Sequence, residues 1–203
     1  MGSPFFLGFT INRPCFTIEP MEQQFEVSQW VPFRVELVFA FFANPSDLPL
    51  LMPPKLGTRV EEMNIEAPPP RPRTPEVTRR MPALVAGAGS EILISYRPFS
   101  WLAKRVHWKT CITEFVWNSH FCDEQVEGPF KTYRHLHATK PEVRRGVEGT
   151  LVTDTVEYEL PFGPLGFLID GVVRRKLDES FDHRQKRLPE IMTAVVRLAE
   201  QCG

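Results

Sequence analysis

Between Phe121 and Leu160, carboxylates, imidazoles and phenols recur at every second position: Phe121, Asp123 and Gln125, then Tyr133, His135 and His137, then Val152, Asp154, Val156 and Tyr158. Alternate residues of a strand share a face, so three neighbouring strands would gather these groups on one wall. Such a wall has two chemistries open to it. It can fix the polar end of an otherwise apolar guest without reacting with it. It can also run acid-base chemistry: a neutral His135 would remove a proton alpha to a carbonyl, Asp154 would orient that ring, and Tyr158 or Tyr133 would donate to the enolate oxygen. His135 and His137 with Asp123 or Asp154 also offer nitrogen and oxygen donors of the kind metals take. Alternating histidines are common in metal-free sheets, and no metal or other cofactor is expected. No GxSxG motif and no phosphate loop occurs, which disfavours covalent and nucleotide chemistry.

The direction of each wall follows from its neighbours. Val152, Asp154, Val156, Tyr158 and Leu160 fall on one face of the last strand, and Thr153, Thr155, Glu157 and Glu159 on the other, so the first set faces the core. Aromatic content selects the faces carrying Phe121, Asp123 and Gln125 and carrying Tyr133, His135 and His137, although Cys122, Val126 and Leu136 oppose that choice. The residues expected to line a ligand site are Trp108, Ile112, Phe121, Asp123, Gln125, Tyr133, His135, His137, Asp154, Val156 and Tyr158. The competing reading is a cross-strand network that satisfies its own hydrogen bonds and touches no guest.

The elements that must position these groups read as follows. Residues 25–31 alternate as a strand, and Pro32 opens a helix whose apolar stripe is Val35, Val38, Phe39 and Phe42. Asn44 and Pro45 end it, and Ser46 is expected to cap a second short helix that stops at Met52, Pro53 and Pro54. Strands follow at about 56–65, 90–96, 107–118, 119–127, 130–140 and 149–160, joined by short turns that favour an antiparallel meander. From residue 167 the period becomes helical, with Leu168, Ile169, Val172, Val173, Leu177, Phe181, Leu188, Ile191, Val195 and Leu198 on one face. Residues 167 to 188 alone would span about 33 Å, enough to cross a sheet. Pro189 predicts a kink or break, with a final helix to about Glu200. Arg174, Arg175, Lys176, Arg184, Lys186 and Arg187 read as the solvated face, with peripheral membrane contact as the alternative.

Composition bounds the rest. A chain of 203 residues with net charge −1, 42% hydrophobic and 24% charged content builds a substantial core and carries no electrostatic footprint for nucleic acid. The four cysteines are scattered, which favours reduced thiols. Neither a signal peptide, a transmembrane segment nor a myristoylation pattern is legible, so a cytoplasmic protein is expected. Residues 1–23 read as an N-terminal arm and 24–200 as one domain with a Pro-rich insertion at about 66–89. That insertion reads chiefly as a solvated linker, and as the place where a protein partner would bind if there is one.

Strand, two short helices, six antiparallel strands and a long C-terminal helix is an α+β order that resembles the helix-grip fold of the START-like, or SRPBCC, superfamily. The resemblance spans about residues 25 to 188. It is carried by Trp30, Val31 and Pro32, the run from Val38 to Pro45, and Leu51 to Pro54. Further along come Phe121 to Gln125, Gly128 to Phe130, Tyr133 to His137, Asp154 to Tyr158 and Pro161 to Gly166. The Pro-rich insertion departs from the pattern, as does the pair Ala138 and Thr139, where an aromatic is usual. The resemblance implies a sheet of about seven strands wrapped around the last helix. It also implies a bacterial ligand-binding protein of the polyketide cyclase/dehydrase or coenzyme-Q-binding type, holding a lipid, quinone or polyketide-like guest in a cavity. A cofactor-independent cyclase or dehydratase is the catalytic alternative, and an interaction module with a filled interior is the third reading.

Overall fold

The computed structural model describes residues 23–72, 84–99, 104–161 and 167–201. Residues 1–22 of the expected N-terminal arm, the middle of the Pro-rich insertion and the run from Phe162 to Gly166 lie outside the described residues, and Gln23 belongs to the first strand instead of the arm. Seven antiparallel strands form one sheet: β1 (Gln23–Val31), β2 (Arg59–Asn64), β3 (Glu91–Tyr96), β4 (Val106–Val116), β5 (His120–Glu127), β6 (Thr132–Arg144) and β7 (Val147–Glu159). Their spatial order is β1-β7-β6-β5-β4-β3-β2. The meander from β2 to β7 is thus sequential, and the first strand closes against the last. Helices α1 (Val35–Phe42) and α2 (Leu48–Leu51) follow β1, and α3 (Phe167–Gln201) ends the fold. This is the helix-grip architecture expected from the sequence.

Three apolar clusters tie the layers together. Val31, Val38, Phe41 and Val152 meet Leu188, Ile191 and Met192 of α3. Phe25, Tyr133, Val156, Tyr158 and Leu160 meet Phe181. Phe39 and Ala43 of α1 and its end pack on Ile92, Ile112 and Phe121 of the far strands. Burial of such side chains contributes roughly 1.5–3 kcal/mol each, so the C-terminal half of α3 is firmly seated. Its N-terminal end is not: Leu168, Ile169 and Val172, expected on the buried face, are exposed. The helix there overhangs a space between itself and the sheet.

Two local expectations change. α3 is 35 residues long and runs unbroken through Pro189. Proline lacks the amide that would bond the carbonyl four residues back, and that carbonyl, Gln185 O, accepts instead from Gln29 Nε2 at 2.7 Å. Gln185 Nε2 in turn donates to Ser28 O, so β1 supplies the partners that the helix lacks. The cap after α1 is Asn44, whose side chain accepts from Ser46 N at 3.1 Å and starts the 3₁₀ turn Pro45–Asp47. Ser46 is therefore the capped residue, not the cap.

The described ends of the Pro-rich insertion differ: most of residues 66–72 is exposed, as in a solvated linker, whereas residues 85–87 are buried. Trp117 Nε1 donates to Pro69 O at 2.6 Å, and Arg71 lies over the Trp117 ring. Val85 and Ala86 are buried in the core. Gly87 passes so close to Pro68 that a Cβ would sit 2.7 Å from its Cα, which is why glycine stands there.

Candidate binding site

The sheet register puts four of the expected polar residues side by side. Asp123 of β5 pairs with His135 of β6, and His137 of β6 pairs with Asp154 of β7. Cross-strand neighbours lie close enough for side-chain contact, and diagonal ones remain within reach of long side chains. His135 Nε2 lies 3.2 Å from Asp154 Oδ1 and its Nδ1 lies 3.9 Å from Asp123 Oδ1. His137 Nδ1 lies 2.8 Å from Asp154 Oδ1 and its Nε2 lies 3.1 Å from Asp123 Oδ1. Each ring therefore presents one nitrogen to each carboxylate. The two rings are 3.7 Å apart at their centroids, and Phe121 stacks on His137 at 4.4 Å.

The fifth member comes from α3. Arg184 Nη2 lies 3.1 Å from Asp154 Oδ1, with the guanidinium 4.4 Å over the Phe42 ring and 5.6 Å from that of Phe181. Arg184 is buried, which corrects its assignment to the solvated face. The signal was in the spacing: Phe181, Arg184, Leu188 and Ile191 follow the three-to-four rhythm of the buried stripe. A cation on that stripe needs an anion within reach, and Asp154 is the anion.

The electrostatics follow from this arrangement. Burial pushes the Asp154 carboxyl up, but the Arg184 guanidinium and hydrogen bonds from both imidazoles overcome it and hold the group well below the usual carboxylate range. Asp123 is likewise lowered against the effect of burial, through its bond to His137 and the charges of His135, His137 and Arg184. Burial, reinforced by the charge of His137, brings His135 down to about 4. His137 is raised in spite of burial because both its nitrogens meet carboxylates. Arg184 Nη2 is also 3.2 Å from His137 Nδ1. Both groups share Asp154 Oδ1, which brings them together.

This cluster forms one end of a cavity of about 640 Å³ between the sheet and α3. Trp108, Ile112, Phe121, Asp123, Tyr133, His135 and His137 line it, as expected, together with Phe42, Ile94, Tyr96, Phe99, Val173, Phe181 and Arg184, which the sequence reading left out. The remaining candidates stand elsewhere. Asp154 lies behind the imidazoles, and Val156 is packed in the core. Tyr158 is 1% exposed and donates its hydroxyl to Asp170 Oδ1 at 2.9 Å, so it pins the start of α3 and has no free proton for an enolate. Gln125 bonds both the amide and the carbonyl of Phe130, shaping the turn beneath Trp108. The cavity is open, so the reading of a filled interior is withdrawn.

No family model matches the chain, and no curated protein does. Solved structures do. TTHA0849 from Thermus thermophilus superposes with a TM-score of 0.55 at 22% identity, covering 85% of this chain and 99% of that one. Norcoclaurine synthase from Thalictrum flavum, solved in complex with dopamine and hydroxybenzaldehyde, gives 0.53 at 13% identity over 94% and 98%. Ara h 8.0201 gives 0.50 at 13% over 81% and 96%. These are helix-grip folds, and the likeness shows that fold.

Proposed function

We propose that this protein binds a hydrophobic small molecule, a lipid, quinone or polyketide-like aromatic, in the space between sheet and helix, without transforming it. The observation that carries the reading is the cavity of about 640 Å³ with aromatic and aliphatic walls and one polar end. Its size and composition match sites that bury most of a drug-sized ligand. Burial of the guest at roughly 25 cal/mol per Å² supplies the affinity, and His135, His137, Asp123 and Arg184 set its orientation. Trp108 Nε1 and Arg184 Nε are buried donors without a protein acceptor, which favours a guest or bridging solvent bearing oxygen acceptors. The aromatic pair bound by the similar norcoclaurine synthase structure lends support to guests of that shape.

The exposed apolar residues at the mouth, Phe99, Ile169 and Val172, would admit such a guest from a membrane surface or another carrier. Native mass spectrometry of protein purified from its own host tests the reading directly. A co-purifying apolar molecule, or saturable uptake of an apolar fluorescent probe at one per chain, is the expected result. A folded sample that takes up neither overturns it.

One observation favours catalysis as a second reading: His135 is held neutral, faces the cavity and is oriented by Asp154, as a general base of a cyclase or dehydratase would be. Tyr133 is the remaining phenol for the donor role. His135→Gln would then abolish turnover and spare binding, whereas equal loss of both makes His135 a binding residue only.

A further inference from the structure

The histidine nitrogens are arranged in a way that guest orientation does not require. Each ring gives one nitrogen to Asp154, at 3.2 Å from His135 Nε2 and 2.8 Å from His137 Nδ1, and turns the other toward Asp123. His135 Nδ1, His137 Nε2 and a carboxylate oxygen of Asp123 thus converge, all three within 4.8 Å of one another, on residues that line the cavity. We propose that Asp123, His135 and His137 form a binding site for a divalent transition metal of the zinc class, with Asp154 and Arg184 as its supporting shell and an open position facing the cavity.

Three features of the geometry carry this. Donors at 2.0–2.2 Å around a tetrahedral ion stand about 3.4 Å apart, and the spacings of 3.1 and 3.9 Å from Asp123 to the two rings bracket that value. Metal-bound histidines almost always donate their other N–H to a carboxylate or carbonyl, and Asp154 Oδ1 receives both of these rings. Arg184 is bonded to Asp154, so the guanidinium fixes the supporting carboxylate while Asp123 remains for the ion. Two imidazoles and one carboxylate form a mixed nitrogen and oxygen set suited to zinc and its neighbours. The ion replaces the proton shared by His137 and Asp123, which leaves to solvent, and its open position can take an oxygen of a cavity guest.

The inference stands apart from the hydrophobic-guest reading, since apolar-probe binding can be measured in chelator. The test uses chelator-treated full-length protein whose far-UV circular dichroism is unchanged, titrated with Zn2+ alone and, in parallel, with Co2+ alone. One equivalent of Zn2+ should bind with a Kd below about 1 μM, and Co2+ should give the intense visible bands of a four- or five-coordinate site. Asp123→Asn, which keeps the side-chain volume, should weaken Zn2+ by at least about tenfold and remove the visible bands. Absence of Zn2+ uptake by the folded wild-type protein overturns the proposal. So does uptake that Asp123→Asn and His135→Gln leave unchanged, or a Co2+ spectrum no stronger than that of the hydrated ion. If either variant fails to fold, the wild-type Co2+ spectrum decides alone.

Discussion

Arg184 shows how one residue joins sequence pattern to site chemistry. Among the described residues its guanidinium is the arginine group that meets the buried Asp154, and two aromatic rings flank it. Arg184→Met keeps the apolar stem and removes the charge. Breaking a buried pair from one side costs about 3–5 kcal/mol. Asp154 retains two imidazole donors, so a loss near about 3 kcal/mol is expected in the urea midpoint at unchanged slope. Adding Asp154→Asn should recover part of it, and a single-variant loss below about 1 kcal/mol would refute the pairing argument. The inward turn of Asp154 was legible because Val152, Val156 and Tyr158 share its face. Arg184 was missed because charge outweighed spacing in reading the helix. Cys122 illustrates the converse: it lies on the sheet face opposite Phe121 and Asp123 yet is fully buried. Burial pushes its thiol from 9.0 up to about 11. A raised value keeps the reactive thiolate scarce until the pH nears 11, so iodoacetamide at about pH 8 should modify Cys122 far more slowly in the folded protein than in urea. Peptide mass mapping reads the ratio, and equal labelling in both states would contradict the burial.

The elements were read from periodicity, and periodicity is local. It placed the strands of the meander and the long helix because alternation and a three-to-four rhythm are intrinsic to strand and helix. It could not see that β1 supplies the donor that Pro189 withholds, since Gln29 and Gln185 are separated by 156 positions. Helix continuity at Pro189 is thus a tertiary property. Gln29→Leu leaves the Gln185 carbonyl without its protein partner at a half-buried position, a loss of about 1 kcal/mol on ordinary hydrogen-bond energetics. Hydrogen exchange should then rise in α3 around residues 186–193 while the sheet amides hold. Pro189→Ala restores an intrahelical donor, and in that background Gln29→Leu should cost less. If the two substitutions act additively, Gln29 has no special role at the proline.

At the scale of the molecule the central fact is what α3 does not cover. Its C-terminal half is locked against β1, β7 and α1 by Leu188, Ile191 and Met192, while its N-terminal half spans a hollow and exposes Ile169 and Val172 at the rim. Hydrophobic pattern alone does not distinguish a lining residue from a packed one, because both are apolar, and this is why the cavity itself was inferred through the fold resemblance. Enlarging a lining side chain separates the two cases by the sign of its effect. In a filled core, an added ring forces strain costing about 1–3 kcal/mol. In an open cavity, Val173→Trp has room and gains buried apolar area at roughly 25 cal/mol per Å². It should leave stability unchanged or raise it, and should abolish uptake of an apolar probe because ring and probe compete for one volume. The wild-type melting temperature, in contrast, should climb with probe concentration, by an amount equivalent to about 2.7 kcal/mol at a hundred times Kd. A destabilised Val173→Trp that still binds the probe would place the guest somewhere other than beneath the helix.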